Sequence, residues 1–389
     1  MLSDDSYFIE NVHGEKRMRK FLATLLCLLL VFSVCACGSG NNENTNADNE
    51  KLAYSDIPDT CDSPDGTYDI ALVTTNGQLK DASFNQAAWE GCKAYGYEND
   101  ITYKYYNPVG GFEAGDEEIT AAMREACENG AKVVVAPGYG HENTLRTVAP
   151  EYPDIQFIFI DGNDLDISNV ESVQYHEEQA GYFAGYAVVS EGYENLGFVG
   201  GGSGNNPACN RFGYGFAQGA DDAAAELGKT INMRYSWENG ADFSPSPELE
   251  AMLKGWYENG TEAIFVCGGT MFDSCVAAAE ATGGKVIGVD VDQSAFSKTV
   301  ITSALKDIRG SVEKTIEKYY TEGIYGGPLK MGVKDEAVGI PKDTWSFKNW
   351  TIEEYENLYQ KTTLGDMIID DTDAPDPSIM GLENTNFIK

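Results

Sequence analysis

Apolar and polar positions fall into three regimes along the chain. Phe21 to Val34, "FLATLLCLLLVFSV", is an almost wholly apolar run of 14 residues, short of the about 20 needed to span a bilayer. The basic cluster "KRMRK" precedes it and "VCACGSG" follows it, which is the layout of a secretion signal. Gly38 to Lys51, "GSGNNENTNADNEK", has few apolar residues and reads as a flexible tether. From Tyr68 onward short β-rich runs alternate with helical periodicity. "YDIALVT" precedes a helix over 83–95, "ITYKYY" one over 116–129, "KVVVAP" one over 142–152, and "IQFIFID" and "SVQYH" lead to one over 177–189. The scheme then restarts. "NLGFVGG" precedes a helix over 211–227, "INMRYSW" one over 245–259, "AIFVCGG" one over 271–282, and "KVIGVDVD" follows. Strands alternating with helices predict doubly wound parallel sheets, here in two lobes of like architecture. No aligned internal repeat accompanies them.

Composition narrows the function. The 389 residues are enough for two domains. Asp and Glu outnumber Lys and Arg 62 to 27, a balance of −35. Such a surface disfavours nucleic acid and anionic membrane surfaces, and admits neutral or cationic ligands. Of nine cysteines, Cys27 and Cys35 lie in the leader and Cys37 stands directly after it. The other six form no C-x-x-C pair, so zinc-finger and thioredoxin-like readings fail, and their spacing settles no disulfide. Only His13, His141 and His176 exist, so no metal or histidine-based catalytic cluster is expected. Cys37, preceded by Ala36, fits a lipidated cysteine after the signal. The predicted leader is 1–36, with Met18 as a second start that would make 1–17 an upstream extension. The predicted tether is 37–65.

Strand ends carry the candidate chemistry, because open α/β sheets bind ligands beyond the carboxyl ends of their strands. Here those ends read "TTNG", "APGYG", "IDGND", "VGGGSGNN", "VCGGT" and "GVDVDQ". They are rich in Gly, which admits close backbone approach, and in Asp and Asn. Asp161 and Asp290 end the two most apolar strands. "DASFNQ" opens a helix directly after the first strand. With Ala88, Cys92 and Tyr95, Phe84 forms an i, i+4, i+8, i+11 stripe, the pattern of a core face, yet it stands in the first turn at the crevice rim.

"LKDASFNQAAWEG", "EEQAGYFAGYAV", "RFGYGFAQGA", "VIGVDVDQ" and "VITSALKDI" occur in an order that resembles the basic membrane protein family, the purine-nucleoside-binding lipoproteins of bacterial ABC transporters. The resemblance covers about Tyr68 to Tyr320. It implies a type I periplasmic-binding-protein fold with a hinge, a ligand crevice between lobes, and a lipid-anchored monomer facing outside the cytoplasm beside an ABC permease and its ATPase. It implies no cofactor. It also makes Phe84 an aromatic wall for a base, with Phe212 on the facing lobe and Tyr214 and Phe216 as local rivals. Asn85 and Asp161 are then expected on the base, with Asp81 or Ser83 capping the helix and leaving Asn85 unengaged. Asp290 and Lys306 are expected at the ribose, and Gly268 and Gly269 let backbone approach it. Asp292 and Gln293 brace the loop. The family often has an acid where this chain has "TTNGQ", so Asn76 is expected to substitute.

The expected lobes are 66–175 with about 292–325, and 176–291 with about 326–370, followed by a polar tail over 371–389. The glycine-rich "GFVGGGSGNNP" fits neither G-x-G-x-x-G nor a P-loop, and no G-x-S-x-G elbow is present. A binder is therefore expected rather than an enzyme. A surface sensor for a nucleoside or sugar-like solute remains open, and so, with less support, does a nucleoside-cleaving enzyme.

Overall fold

The computed structural model describes residues 53–75, 79–111 and 114–388. Cys37 and Asn76 lie outside the described residues, as do the expected leader and most of the expected tether. In chain order the elements are β1 (Ile70–Val73), α1 (Phe84–Glu98), β2 (Tyr103–Tyr106), α2 (Asp116–Glu128), β3 (Val133–Pro137), α3 (Glu142–Val148), β4 (Gln156–Ile160) and β5 (Val170–Tyr175). Then come α4 (Glu177–Glu191), β6 (Asn195–Gly200), α5 (Pro207–Glu226), β7 (Ile231–Ser236), α6 (Pro247–Glu258), β8 (Ala263–Cys267), α7 (Met271–Thr282) and β9 (Lys285–Asp290). The chain closes with β10 (Val300–Lys306), α8 (Ile308–Glu322), β11 (Gly327–Met331), β12 (Val338–Gly339), α9 (Ile352–Leu364) and β13 (Thr385–Ile388).

Two sheets result. One has the order β11-β5-β4-β3-β1-β2, the other β12-β10-β9-β8-β6-β7-β13. Every described pairing is parallel except β10 with β12. β1, β3, β4 and β8 are buried along their whole length, as strands covered by helices on both faces must be. Their continuous apolar runs are the same feature that marked them in the sequence.

The chain crosses between the lobes three times: from β5 into α4 at His176, from β10 into α8 at Asp307, and from β11 toward β12. The crossings hold one another. His176 N–H donates to the Met331 carbonyl at 2.8 Å, and Asp307 N–H to the Ala337 carbonyl at 2.7 Å. This path corrects the expected lobe boundaries. β10 pairs with β9 in the seven-stranded sheet, not with the first lobe, and β11 pairs with β5 in the six-stranded sheet, not with the second. Periodicity reports that a segment is a strand, but strand order is set by which edge accepts it.

The C-terminal segments pack against the seven-stranded lobe. The expected polar tail ends in β13, which pairs with β7 from Thr385↔Ile231 to Ile388↔Arg234, and the Asp221 carboxylate accepts from Asn384 N–H and Thr385 Oγ1, each at 2.8 Å. The aromatic stretch after Thr344 is core: Trp345, Trp350 and Tyr355 pack together, and Tyr355 and Tyr359 meet Phe183 of α4. α4 and α5 lie nearly backbone to backbone. A Cβ on Gly215 would come within 2.0 Å of the Glu178 carbonyl, and one on Gly181 within 2.1 Å of the Phe212 carbonyl. That approach sets the start of α4 against Arg211 and Phe212. All six described cysteines are free thiols.

Candidate functional site

One carboxylate organises the turn between β1 and α1. Asp81 Oδ1 accepts from Ser83 N–H at 2.9 Å and Gln86 N–H at 3.1 Å, and Oδ2 accepts from Asn85 N–H at 3.0 Å. Asp81 thus caps α1 from outside it, satisfying donors that the first turn cannot. Asn85 is not unengaged as expected: its Nδ2 donates to Asp81 Oδ2 at 3.1 Å. Burial pushes the Asp81 carboxyl up to about 6, against these three backbone donors. The cap presents Phe84, half-buried, at the crevice, while Ala88 and Cys92 one and two turns on are fully buried.

Lys306, at the end of β10, is 3 % exposed, not a solvated surface lysine. Its Nζ lies 2.6 Å from Asp161 Oδ2, 3.5 Å from Glu177 Oε1 and 3.7 Å from Asp290 Oδ1. It also stands 5.0 Å from the centre of the Phe84 ring, 5.2 Å from Tyr175 and 5.5 Å from Phe212, within cation–π range. Arg211 Nε completes the cluster 2.7 Å from Glu177 Oε2. Burial opposes the Lys306 ammonium, but Asp161, Asp290 and Glu177 outweigh it and raise its pKa. Burial likewise pushes Asp161 up to about 6 in spite of Lys306, and raises Asp290. For Glu177 burial is overcome by Arg211 and Lys306, and its pKa falls.

Several of these contacts join the lobes. Asp161 ends a strand of the six-stranded sheet, and Lys306 ends one of the seven-stranded sheet. Ser83 Oγ donates to Asp290 Oδ2 at 2.6 Å, and Gln293 Nε2 to the Ala82 carbonyl at 3.1 Å. Gln293 also accepts from Val289 N–H at 3.0 Å, so it braces the loop as expected, while Asp292 accepts from Ser294 N–H at 3.0 Å. Asp161 and Asp290 both adopt left-handed backbone, with φ of 58° and 64°. Aspartate tolerates that conformation better than most residues, and strained backbone of this kind concentrates at functional sites.

Around the cluster lies a cavity of about 250 Å³, near the small end of small-molecule sites, roughly 300–1,000 Å³. Eight of the nine sequence candidates for ligand contact line it: Phe84, Asn85, Asp161, Phe212, Gly268, Gly269, Asp290 and Lys306. The ninth is Asn76. Tyr214 and Phe216 are buried away from the cavity. The sequence reading missed Tyr139, Asp242 and Phe243 in the wall, and Glu177 and Arg211 behind it. Arg211 and Glu177 stand inside the quoted "RFGYGF" and "EEQAG" segments, where a polar residue on a helix carries no sign in the sequence of its burial. Phe243 left no periodic trace, being a loop residue with φ of 61°. It does explain the glycines opposite: a Cβ on Gly201 would sit 2.2 Å from the Phe243 ring, and one on Gly268 within 3.1 Å. The glycine-rich loop therefore makes room for an aromatic ring.

Two parallel-sheet lobes, three crossings and a lined cavity in the crevice define a fold of the periplasmic-binding-protein type. A solute-binding protein of an ABC transporter system from Aeropyrum pernix K1 has the same fold, with a TM-score of 0.67 at 19 % identity over 81 % of this chain and 97 % of that one. The chain belongs to the PnrA-like family of ABC transporter substrate-binding proteins, which matches residues 69–373. It is 24 % identical to a CD4+ T-cell-stimulating antigen of Listeria innocua over 90 % of this chain and 98 % of that one. It is 25 % identical to the ABC transporter nucleoside-binding protein BmpA of Lactococcus lactis over 66 % of this chain and 76 % of that one. Among the described residues no helix is long and apolar enough to cross a membrane.

Proposed function

We propose that the chain is a lipid-anchored receptor that captures a purine nucleoside between its lobes and delivers it to an ABC permease. The observation that carries this reading is the cavity itself, where rings from both lobes and two strand-end carboxylates converge on Lys306. The base lies against Phe84, facing the second lobe's wall of Phe212 and the less buried Phe243. Asn85 and Asp161 meet its polar edge. Asp290, steadied by Lys306, accepts from ribose hydroxyls, and the backbone at Gly268 and Gly269 flanks the sugar. Cys37 carries the lipid, which places the receptor on the outer face of the cell membrane. Binding rather than catalysis fits the side chains present. Lys306 and its carboxylates are tied to one another, and neither described histidine lines the cavity.

The reading is tested by calorimetric titration with inosine, guanosine, adenosine, free bases and sugars. Heat from the nucleosides at micromolar affinity, about −8 kcal/mol, is the expected result; silence from all three rejects the ligand. Phe84→Ala is expected to weaken nucleoside binding at least tenfold, since one base stacked on an aromatic ring contributes about 1–3 kcal/mol. A dissociation constant within threefold of wild type would remove Phe84 from the site.

Acidity gives a second check with opposite signs for stability and binding. Asp161 has its carboxyl raised from 3.8 to about 6 in the folded chain. Its contribution to stability is therefore present below the unfolded value and is lost as pH rises through 6. The ligand-free protein should gain melting temperature from this group as pH falls from 7 toward 5. Nucleoside affinity should fall over the same interval, because protonated carboxyls no longer accept from the ligand. Parallel melting and titration series at pH 5, 6 and 7 measure both, and affinity that rises on acidification would count against carboxylate recognition.

A further inference from the structure

At the hinge, beside the first turn of α4, three metal-ligating side chains meet that do not line the ligand cavity. His176 stands at the first crossing, Glu178 follows it in α4, and Asp371 comes from the segment after α9. One ligand atom from each lies within 4.8 Å of the others. His176 Nδ1 is 2.6 Å from Glu178 Oε1. Glu178 is 1 % exposed, yet its second oxygen, Oε2, has no hydrogen-bond partner. A buried carboxylate oxygen without a partner is costly, and a cation is the partner that a neighbouring imidazole and a second carboxylate would share. Glu178 and Asp371 border an adjoining cavity of about 420 Å³, so access and water ligands are available.

We propose that His176, Glu178 and Asp371 bind a first-row divalent cation of the zinc class at the hinge. One imidazole nitrogen with two carboxylate oxygens suits Zn²⁺ and its neighbours, with water completing the shell. The Lys330 ammonium, 2.9 Å from Asp371 Oδ2, holds the competing position. Metal entry displaces it, exchanging one positive charge for two at the Asp371 carboxylate. Lys330 belongs to β11 and His176 follows β5, so the bound ion would tie the first crossing to the C-terminal segment beside the third. This site stands apart from the nucleoside reading and does not depend on it.

The test is titration of the full chain in detergent, without a polyhistidine tag and stripped with EDTA, against zinc chloride. Uptake of one ion per chain is expected, with cobalt chloride giving a visible absorption band at the same stoichiometry. His176→Ala and Asp371→Asn should each weaken zinc binding at least tenfold, and Lys330→Gln should tighten it. Asp371 is largely exposed, so its variant keeps the question open should His176→Ala fold poorly. Absence of one-to-one uptake, indifference to both ligand variants, or indifference to removal of the Lys330 charge would each overturn the proposal.

Discussion

Lys306→Met lowers the stability of the protein by about 3–5 kcal/mol, the cost of leaving buried charges without their partner. The substitution keeps the length and most of the apolar stem, so packing against Phe84, Tyr175 and Phe212 changes little. What changes is charge. Lys306 and Arg211 face Asp161, Asp290 and Glu177, two cations against three carboxylates. Without Lys306 one cation faces three, and Arg211 touches only Glu177. Asp161 and Asp290, on opposite lobes, then lose the ammonium that each is paired with, and Asp161 keeps only the more distant field of Arg211. A loss of melting temperature on the order of 5 °C is expected at pH 7.5 for a unit of this size. The deficit should shrink toward pH 5, because Asp161, already raised to about 6 with Lys306 present, protonates still more readily without it. A variant that melts with wild type at both pH values would show that the cluster does not hold the lobes.

The elements of this fold, its parallel sheets and its two lobes were legible, and the sheet that each late strand joins was not. The helix expected over 271–282 matches α7, and the one over 116–129 matches α2 to within a residue, because 3.6-residue periodicity is a direct imprint of one-sided burial. The assignment of β10 and β11 to lobes failed because both are ordinary short strands, and only edge complementarity selects their sheet. β13 was unreadable for a related reason: an edge strand is half solvated, so "TNFI" carries no continuous apolar run. Asp161 and Asp290 could be singled out as acids closing apolar strands. The burial of Lys306 could not, since a lysine after "ITSAL" looks the same whether it meets water or three carboxylates from elsewhere in the chain. Glu177 and Arg211 sit on helices from different parts of the sequence, and the glycines that bring those helices together read in one dimension as mere helix weakeners.

The same cluster predicts a different outcome for Asp290→Asn. Removing this charge leaves two cations against two carboxylates, so the buried network gains balance where Lys306→Met loses it. Asparagine also tolerates the left-handed backbone at φ of 64°, which alanine would strain by roughly 1–2 kcal/mol. Ser83 Oγ can still donate to the amide oxygen. Folding is therefore expected to be intact, with a melting temperature at or above that of wild type at pH 7.5. The proposed nucleoside binding is not expected to be spared. Two hydroxyls donating to a carboxylate are charge-assisted bonds worth about 1.5–3 kcal/mol each, and an amide offers one acceptor oxygen while turning a donor toward the second hydroxyl. An affinity loss of about 100-fold is expected for ribonucleosides, against a much smaller loss for a 2′-deoxynucleoside that lacks one of those donors. Calorimetry with inosine and 2′-deoxyinosine on both proteins separates the two. Equal losses for the pair would move Asp290 off the sugar, and no loss for either would leave it as a latch between lobes through Ser83 alone.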